Sequence, residues 1–160
     1  MDAALPRIVA SGPAGTRWLR ASAGVVRDET DRLPAELAAA TGPVALADLD
    51  GAPGIDLVVA DGARIRFGLA SSATLSAREG PDLGAPVVRL LAGDLDGDCL
   101  DDVVARTDDG RWVAIAGADG RPLPTPSIAA VDLVVGDVDG DGENEVAVLG
   151  AGGRITLWSP

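Results

Sequence analysis

The chain has 160 residues, 47% of them hydrophobic, which is long enough for one domain with a sizeable buried core. Acidic residues number 25 against 13 basic ones, and the net charge is −12. This balance argues against a nucleic-acid partner, because no basic stripe is available to displace phosphate counterions. The sequence has no apolar run that could span a bilayer and no export signal at its start, so we expect no membrane insertion.

The composition favours many short elements joined by tight turns. Aromatic residues make up only 2% of the chain, whereas Gly occurs 21 times and Pro 11 times. Such a composition is typical of an all-β protein. The single cysteine, Cys99, has no partner for an internal disulfide, so cysteine usage does not indicate the redox compartment.

In chain order, the first predicted element is the segment "PRIVASGPAGTRWLRA", which reads as two strands around a Gly turn. The segment "PAELAAAT", residues 34–41, predicts a single helical turn in a connection, with Pro34 suited to its start and Gly42 to its end. Three longer and mutually similar segments follow. They begin at Val44, Arg89 and Asp132, and each reads as apolar strand, acidic loop, apolar strand, Gly turn and strand.

The similar segments form a repeat of about 45 residues. The first aspartates of the acidic loops, Asp48, Asp94 and Asp137, are 46 and 43 residues apart. A repeat of this length with about four short strands is typical of a β-propeller blade. We therefore predict an all-β propeller or propeller fragment with up to four antiparallel strands per blade. The approximate blades are 1–40 (partial), 41–86, 87–129 and 130–160 (partial), and the predicted strands are 44–48, 56–60, 64–69, 88–93, 102–106, 111–116, 131–136, 145–149 and 154–158.

The two ends of the repeat are incomplete. The N-terminal piece lacks the inner strand of the unit, and the C-terminal piece lacks the outer strand. An open stack of blades leaves apolar faces and strand edges uncovered. We therefore predict either a homo-oligomer, specifically a homodimer, that pairs through the open ends or a compact ring closed within one chain. The alternative is that the chain is an excised part of a longer propeller.

The acidic loops have a spacing that suits a metal ion. Alternate residues of a tight loop turn their side chains toward one centre, and Ca²⁺ accepts six to eight oxygen ligands. We number each loop from its first Asp, which is position 1. The predicted ligands at positions 1, 3, 5, 7 and 9 are Asp94, Asp96, Asp98, Leu100 and Asp102 in one loop and Asp137, Asp139, Asp141, Glu143 and Glu145 in the next. Position 7 would contribute its backbone carbonyl, so the side chain at that position is free to vary.

The loop that begins at Asp48 departs from this pattern. Ala52 replaces the carboxylate at position 5 and Pro53 follows it, so the predicted ligands are Asp48, Asp50, the carbonyl of Gly54, and Asp56. This loop is the weaker candidate because one ligand is missing. The alternative for all three loops is a solvated turn, since Asp and Gly are common turn residues.

Cys99 occupies a loop position at which its counterpart in the next loop is Gly142. A residue with a Cβ at such a position predicts a less relaxed backbone. A reactive or metal-binding thiol is the alternative interpretation of Cys99.

Other calcium motifs with alternating aspartates do not fit. An EF-hand requires a Glu at position 12, where this chain has Val59, Ala105 and Val148, and nonapeptide β-helix repeats are far shorter. The stretches "GDLDGDCLDDVV" and "GDVDGDGENEVAV" resemble the calcium loops of the FG-GAP and VCBS repeats, the integrin-α-like propeller family. The resemblance covers about residues 41–158. It implies one calcium ion per intact loop and an extracytoplasmic or secreted location, in adhesion, ligand-binding or carbohydrate-related proteins.

Three classes of function remain open. An enzyme has few candidate groups, because the chain has no His, Lys or Tyr, and a carbohydrate-active role would depend on surface carboxylates such as Glu36 and Glu79. A binding module would present its loops to a protein or glycan, with Trp18, Trp112 and Trp158 as candidate contacts or, alternatively, as packing residues. A scaffold would bind calcium alone. We favour a calcium-binding, non-enzymatic interaction, adhesion or scaffold unit.

Overall fold

The computed structural model describes residues 7–71, 74–117 and 119–160, and these residues form an antiparallel all-β fold. A short 3₁₀ helix, Thr30–Arg32, and one helical turn, α1 (Ala35–Ala38), lie between residues 28 and 44. The strands are β1 (Arg7–Gly12), β2 (Gly15–Ser22), β3 (Val25–Asp28), β4 (Val44–Ala47), β5 (Asp56–Asp61), β6 (Arg64–Ala70), β7 (Leu75–Asp82), β8 (Val87–Gly93), β9 (Asp102–Thr107), β10 (Trp112–Ile115), β11 (Pro122–Leu123), β12 (Ala130–Gly136), β13 (Glu145–Gly150) and β14 (Ile155–Trp158).

These strands form four sheets in chain order. The first sheet is β1-β2-β3, the second β4-β5-β6-β7, the third β8-β9-β10-β11, and the last sheet is β12-β13-β14. Each strand pairs with its neighbour in the chain, so every sheet is a meander of hairpins. The hairpin before β6 turns at Gly62 and the one before β10 at Gly110, with φ of +62° and +84°. Glycine adopts these left-handed angles without steric cost.

Alternating apolar residues bury both faces of the interior sheets. Along β5, Leu57 and Val59 pack in the cluster between the first and second sheets, whereas Val58 and Ala60 pack in the cluster between the second and third. A third cluster joins the third sheet to the last sheet. Because successive side chains of a strand point to opposite faces, one apolar strand serves two neighbouring sheets.

The prediction of an all-β chain with sheets of three or four antiparallel strands is confirmed, and each predicted strand lies within two residues of an observed one. The helical turn α1 lies inside the segment predicted for it, and its Leu37 is fully buried beneath the first two sheets. Among the described residues, no helix is long and apolar enough to cross a membrane.

Candidate metal sites in three acidic loops

The three acidic loops occupy equivalent places in three consecutive sheets. The first loop (48–56) connects β4 to β5, the second loop (94–102) connects β8 to β9, and the third loop (137–145) connects β12 to β13. Each loop therefore joins the first two strands of its sheet. The repeat of the sequence places the loops at the same end of neighbouring sheets.

Each loop brings together the carboxylates of positions 1, 3 and 9. Within each group, one carboxylate oxygen from every member lies within 4.8 Å of the others. Three anionic groups at this separation repel each other, and a cation among them would remove that repulsion. The groups are Asp48, Asp50 and Asp56; Asp94, Asp96 and Asp102; and Asp137, Asp139 and Glu145.

Two hydrogen bonds recur in all three loops, and they orient the carboxylates at positions 1 and 9 of each group. The carboxylate at position 1 accepts the N–H of position 4, from Gly51, Gly97 and Gly140, at 2.9, 2.9 and 2.6 Å. The carboxylate at position 9 accepts the N–H of position 2, from Leu49, Leu95 and Val138, at 2.8, 3.0 and 2.8 Å. Each accepting oxygen keeps a second lone pair, so these bonds orient the carboxylates without exhausting them.

The side chains at position 5 lie outside the groups. Asp98 accepts the N–H of Leu100, and Asp141 accepts the N–H of Glu143, each at 2.9 Å. Both are turns in which an Asp side chain binds the backbone two residues further on. Carboxylate ligation at position 5 and carbonyl ligation at position 7, including Gly54, stay predictions.

The backbone at position 6 makes a hydrogen bond in the second and third loops that the first loop lacks. Cys99 and Gly142 have φ of +67° and +98°, and their N–H groups bind the second carboxylate oxygen of Asp94 and Asp137 at 2.9 and 3.1 Å. Pro53 occupies this position in the first loop and has no N–H to donate. The first loop therefore lacks one of the bonds that fix position 1, in addition to the carboxylate at position 5.

Cys99 adopts a left-handed conformation, which agrees with the less relaxed backbone expected where its counterpart is Gly142. This conformation costs a residue with a Cβ about 1–2 kcal/mol. The thiol is exposed and unpaired with any other cysteine, since the sequence contains only one.

Backbone hydrogen bonds join the three loops in a row. The N–H of Asp101 donates to the carbonyl of Asp48 at 2.7 Å, and the N–H of Asn144 donates to the carbonyl of Asp94 at 2.9 Å. The Asp101 carboxylate also accepts the Asp48 N–H at 2.8 Å. Position 8 of one loop thus binds position 1 of the preceding loop, so the order of the sheets fixes the spacing of the sites.

The sequence reasoning missed the role of position 8, although a signal was present. This position is polar in the second and third loops, at Asp101 and Asn144, and apolar in the first, at Ile55. Only the second and third loops follow another loop. The polar side chain is a partial signal, because Asp101 uses its carboxylate in the contact, whereas Asn144 binds the preceding loop through its backbone N–H.

Burial is unequal among the position 9 carboxylates. Asp56 and Asp102 are each only 1% exposed, and their second oxygens accept the N–H groups of Ala70 and Gly117 at 2.6 and 3.0 Å. Burial raises the pKa of both carboxyls above the ordinary value. The backbone bonds oppose that rise, and the neighbouring carboxylates of the same loop add to it. A cation bound beside these carboxylates would favour their charged forms and would therefore lower the pKa of both.

Asp96 carries an unsatisfied oxygen in the second loop. Its Oδ1 atom is buried without a hydrogen-bond partner, and its Oδ2 atom lies 3.9 Å from the Arg121 guanidinium. A buried carboxylate oxygen without a partner is costly unless a donor or a cation reaches it.

The ligand atoms that the three groups offer are all carboxylate oxygens, which suit Ca²⁺ rather than a thiolate-binding metal. The residues present therefore fit a calcium ion.

The other sequence candidates lie away from the loops or inside the core. Trp18 and Trp112 are buried, and Trp158 meets Trp112 edge to face with ring centroids 5.3 Å apart. These positions agree with the packing interpretation of the tryptophans. Glu36 is exposed on α1, and Glu79 pairs with Arg64 and Arg66 at 3.5 and 3.2 Å.

The fold and the loops define a class: an all-β repeat protein with a row of acidic, oxygen-rich sites along one end of its sheets. Comparison of the chain with protein-family models, with curated proteins and with solved structures found no match.

Proposed function

We propose that this chain is a calcium-binding β-propeller module whose four sheets are consecutive blades. The packing of each sheet on the next in chain order supports the propeller arrangement, as do the bonds that join successive loops. The observation that carries the metal assignment is the group of three carboxylates formed by the same positions, with the same two backbone bonds, in three separate loops. Turning alone requires one or two Asp residues rather than three convergent ones.

The role proposed for the module is non-enzymatic. Calcium would engage the carboxylates of the three loops, and the chain has no His, Lys or Tyr for acid–base chemistry. The ions would neutralise the loops and let the rigid sheets serve as an interaction, adhesion or scaffold unit toward a protein or glycan. The loops resemble those of the FG-GAP and VCBS repeats, whose usual location is outside the cytoplasm, so we place the protein in an extracytoplasmic or secreted setting.

The test is thermal unfolding of chelator-treated protein with added CaCl₂. A ligand that binds only the folded state adds about 2.7 kcal/mol per site at a hundredfold excess over Kd, so millimolar Ca²⁺ should raise Tm and chelator should reverse the rise. Magnesium should do much less, because it sheds water reluctantly and demands a tighter octahedron.

Single substitutions assign the effect to the loops. Asp96→Ala and Asp139→Ala should each remove one site from a calorimetric calcium titration and much of the rise in Tm. Asp50→Ala, in the loop with Pro53, should remove less. Asp31→Ala is the matched control, because Asp31 is exposed and lies outside all three loops. If Tm ignores both calcium and chelator, or if Asp50→Ala has the largest effect, the loops are solvated turns.

A further inference from the structure

The last sheet leaves one apolar face exposed. Val134, Ala147 and Leu157 lie side by side across β12, β13 and β14, with Leu149 and Ile155 paired beside them on the same face. Val134 is 57% exposed, Ile155 67% and Leu157 52%. The opposite face of this sheet packs on the third sheet. The exposed set corresponds to the residues by which β5 packs on the next sheet along the chain, Val58 and Ala60.

The first sheet leaves the complementary face exposed. Ile8 pairs with Leu19, and Ala21 pairs with Val26, so these four residues lie on the face that does not pack on the second sheet. Ile8 is 45% exposed and Val26 is 56% exposed. Apolar faces of this kind mark interaction surfaces when they form a contiguous patch. The first and last sheets therefore do not cover each other within one chain.

The repeat distinguishes between the possible partners of these faces. Ala147 of β13 occupies the place that Val58 has in β5, because each lies two residues after position 9 of its loop. Val58 packs on the sheet that follows in the chain. The exposed face of the last sheet is therefore the one on which a following sheet packs, and the first sheet of another copy offers the uncovered face that would meet it.

We propose that the first sheet of a second copy packs on the last sheet of this chain, head to tail, and that two copies close one ring of eight sheets. Two identical head-to-tail contacts cover both open faces of both copies, and eight blades lie within the range in which propellers close. This inference rests on the propeller arrangement proposed above, and it does not depend on metal binding.

The experiment measures the mass of the whole chain in solution at about 100 µM, by light scattering after gel filtration and by sedimentation. We expect twice the chain mass of 16.0 kDa. Ile8→Asp alters only the face of the first sheet, and Leu157→Asp only the face of the last sheet. Each should yield a monomer on its own, because every contact then contains one altered face. Val88→Asp, at an exposed valine of β8, is the matched control and should stay dimeric.

Mixing the two face variants tests the head-to-tail geometry. In a mixed pair, the intact last sheet of the Ile8→Asp chain meets the intact first sheet of the Leu157→Asp chain, so a dimer with one working contact should return.

A circular dichroism spectrum rich in β structure shows that the variants fold. Any calcium-induced rise in Tm should be retained in them, which separates loss of the dimer from failure of the metal assignment. An unsubstituted chain that is monomeric or forms open-ended polymers would overturn the proposal. So would an Ile8→Asp chain that stays dimeric while Leu157→Asp dissociates, since that pattern indicates contact between two last sheets.

Discussion

The second and third acidic loops have nearly the same residue types at their key positions, but they occupy different surroundings. In the second loop, Asp102 is 1% exposed and binds two backbone N–H groups, whereas Glu145 of the third loop binds one. The carbonyl of Asp94 also receives a bond from Asn144 of the following loop. The third loop belongs to the last sheet, and both Asp137 and Asp139 are exposed. Equal sequence patterns therefore yield unequal sites, because Asp102 gains a second N–H from Gly117 after β10 of its own sheet, and because its loop is also bonded to the loop that follows.

The largest expected effect comes from removing the position 9 carboxylate in metal-free protein. Asp102→Ala leaves the N–H groups of Leu95 and Gly117 without their acceptor in a buried place, and we expect a loss of about 2–3 kcal/mol in the free energy of unfolding. Glu145→Ala should cost below about 1 kcal/mol, because its donor, Val138, is 55% exposed and water can replace the carboxylate.

Urea unfolding in chelator measures both losses, with the dependence on urea checked for an unchanged slope. Asp56→Ala is the internal control. Asp56 is as buried as Asp102 and also binds two N–H groups, so its loss should resemble that of Asp102. Equal costs for Asp102→Ala and Glu145→Ala would show that the surroundings of the two loops do not differ in energy.

A smaller effect is expected from the backbone at position 6. Cys99→Gly should stabilise the protein by about 1 kcal/mol, because Gly adopts φ of +67° without the steric cost that Cys99 bears. The N–H that binds Asp94 is kept. The matched substitution in the third loop, Gly142→Ala, should destabilise by a similar amount, since Gly142 has φ of +98°. Urea unfolding in chelator measures both, and a loss of stability in Cys99→Gly would mean that the thiol contributes a contact worth more than the strain.

The comparison of loops also shows what the sequence could and could not predict. The repeat length, the strand positions and the less relaxed backbone at Cys99 could be predicted, because each depends on residues close together in the sequence. The turns that bind Asp98 and Asp141 to the backbone were not predicted, because spacing alone does not say whether a side chain faces the loop centre or its own backbone. The burial of Asp102 depends on residues distant in the chain, such as Gly117, and a single segment does not reveal it.

The smallest expected effect is the change with pH in the free energy of unfolding of the metal-free protein. The two buried carboxyls and the surface carboxyls should change this free energy in opposite directions as pH falls. Burial raises the pKa of Asp56 and Asp102 in the folded state above the usual value of 3.8. The folded state then binds protons more tightly than the unfolded state, so these two groups should increase the free energy of unfolding as pH falls from 7 toward 3.8. The backbone bonds oppose the shift and keep the gain small.

The surface carboxyls act at lower pH and with the opposite sign. Asp109 accepts bonds from Thr107 and Arg111, which lower its pKa to about 2, so its contribution is present above 3.8 and is lost as pH falls from there toward 2. Unfolding by urea in chelator, repeated at steps of pH, should therefore show a gain followed by a loss. The double variant Asp56→Asn with Asp102→Asn should lose the gain in the free energy of unfolding near pH 4 and above, and it should keep the loss at lower pH.

In millimolar calcium, the free energy of unfolding should fall rather than rise as pH decreases from 7 toward 3.8, because protons compete with the ion for the same carboxylates. A gain on acidification that persists unchanged in calcium would mean that the ion does not reach Asp56 and Asp102, and the two buried carboxylates would then serve only to cap the backbone of their loops.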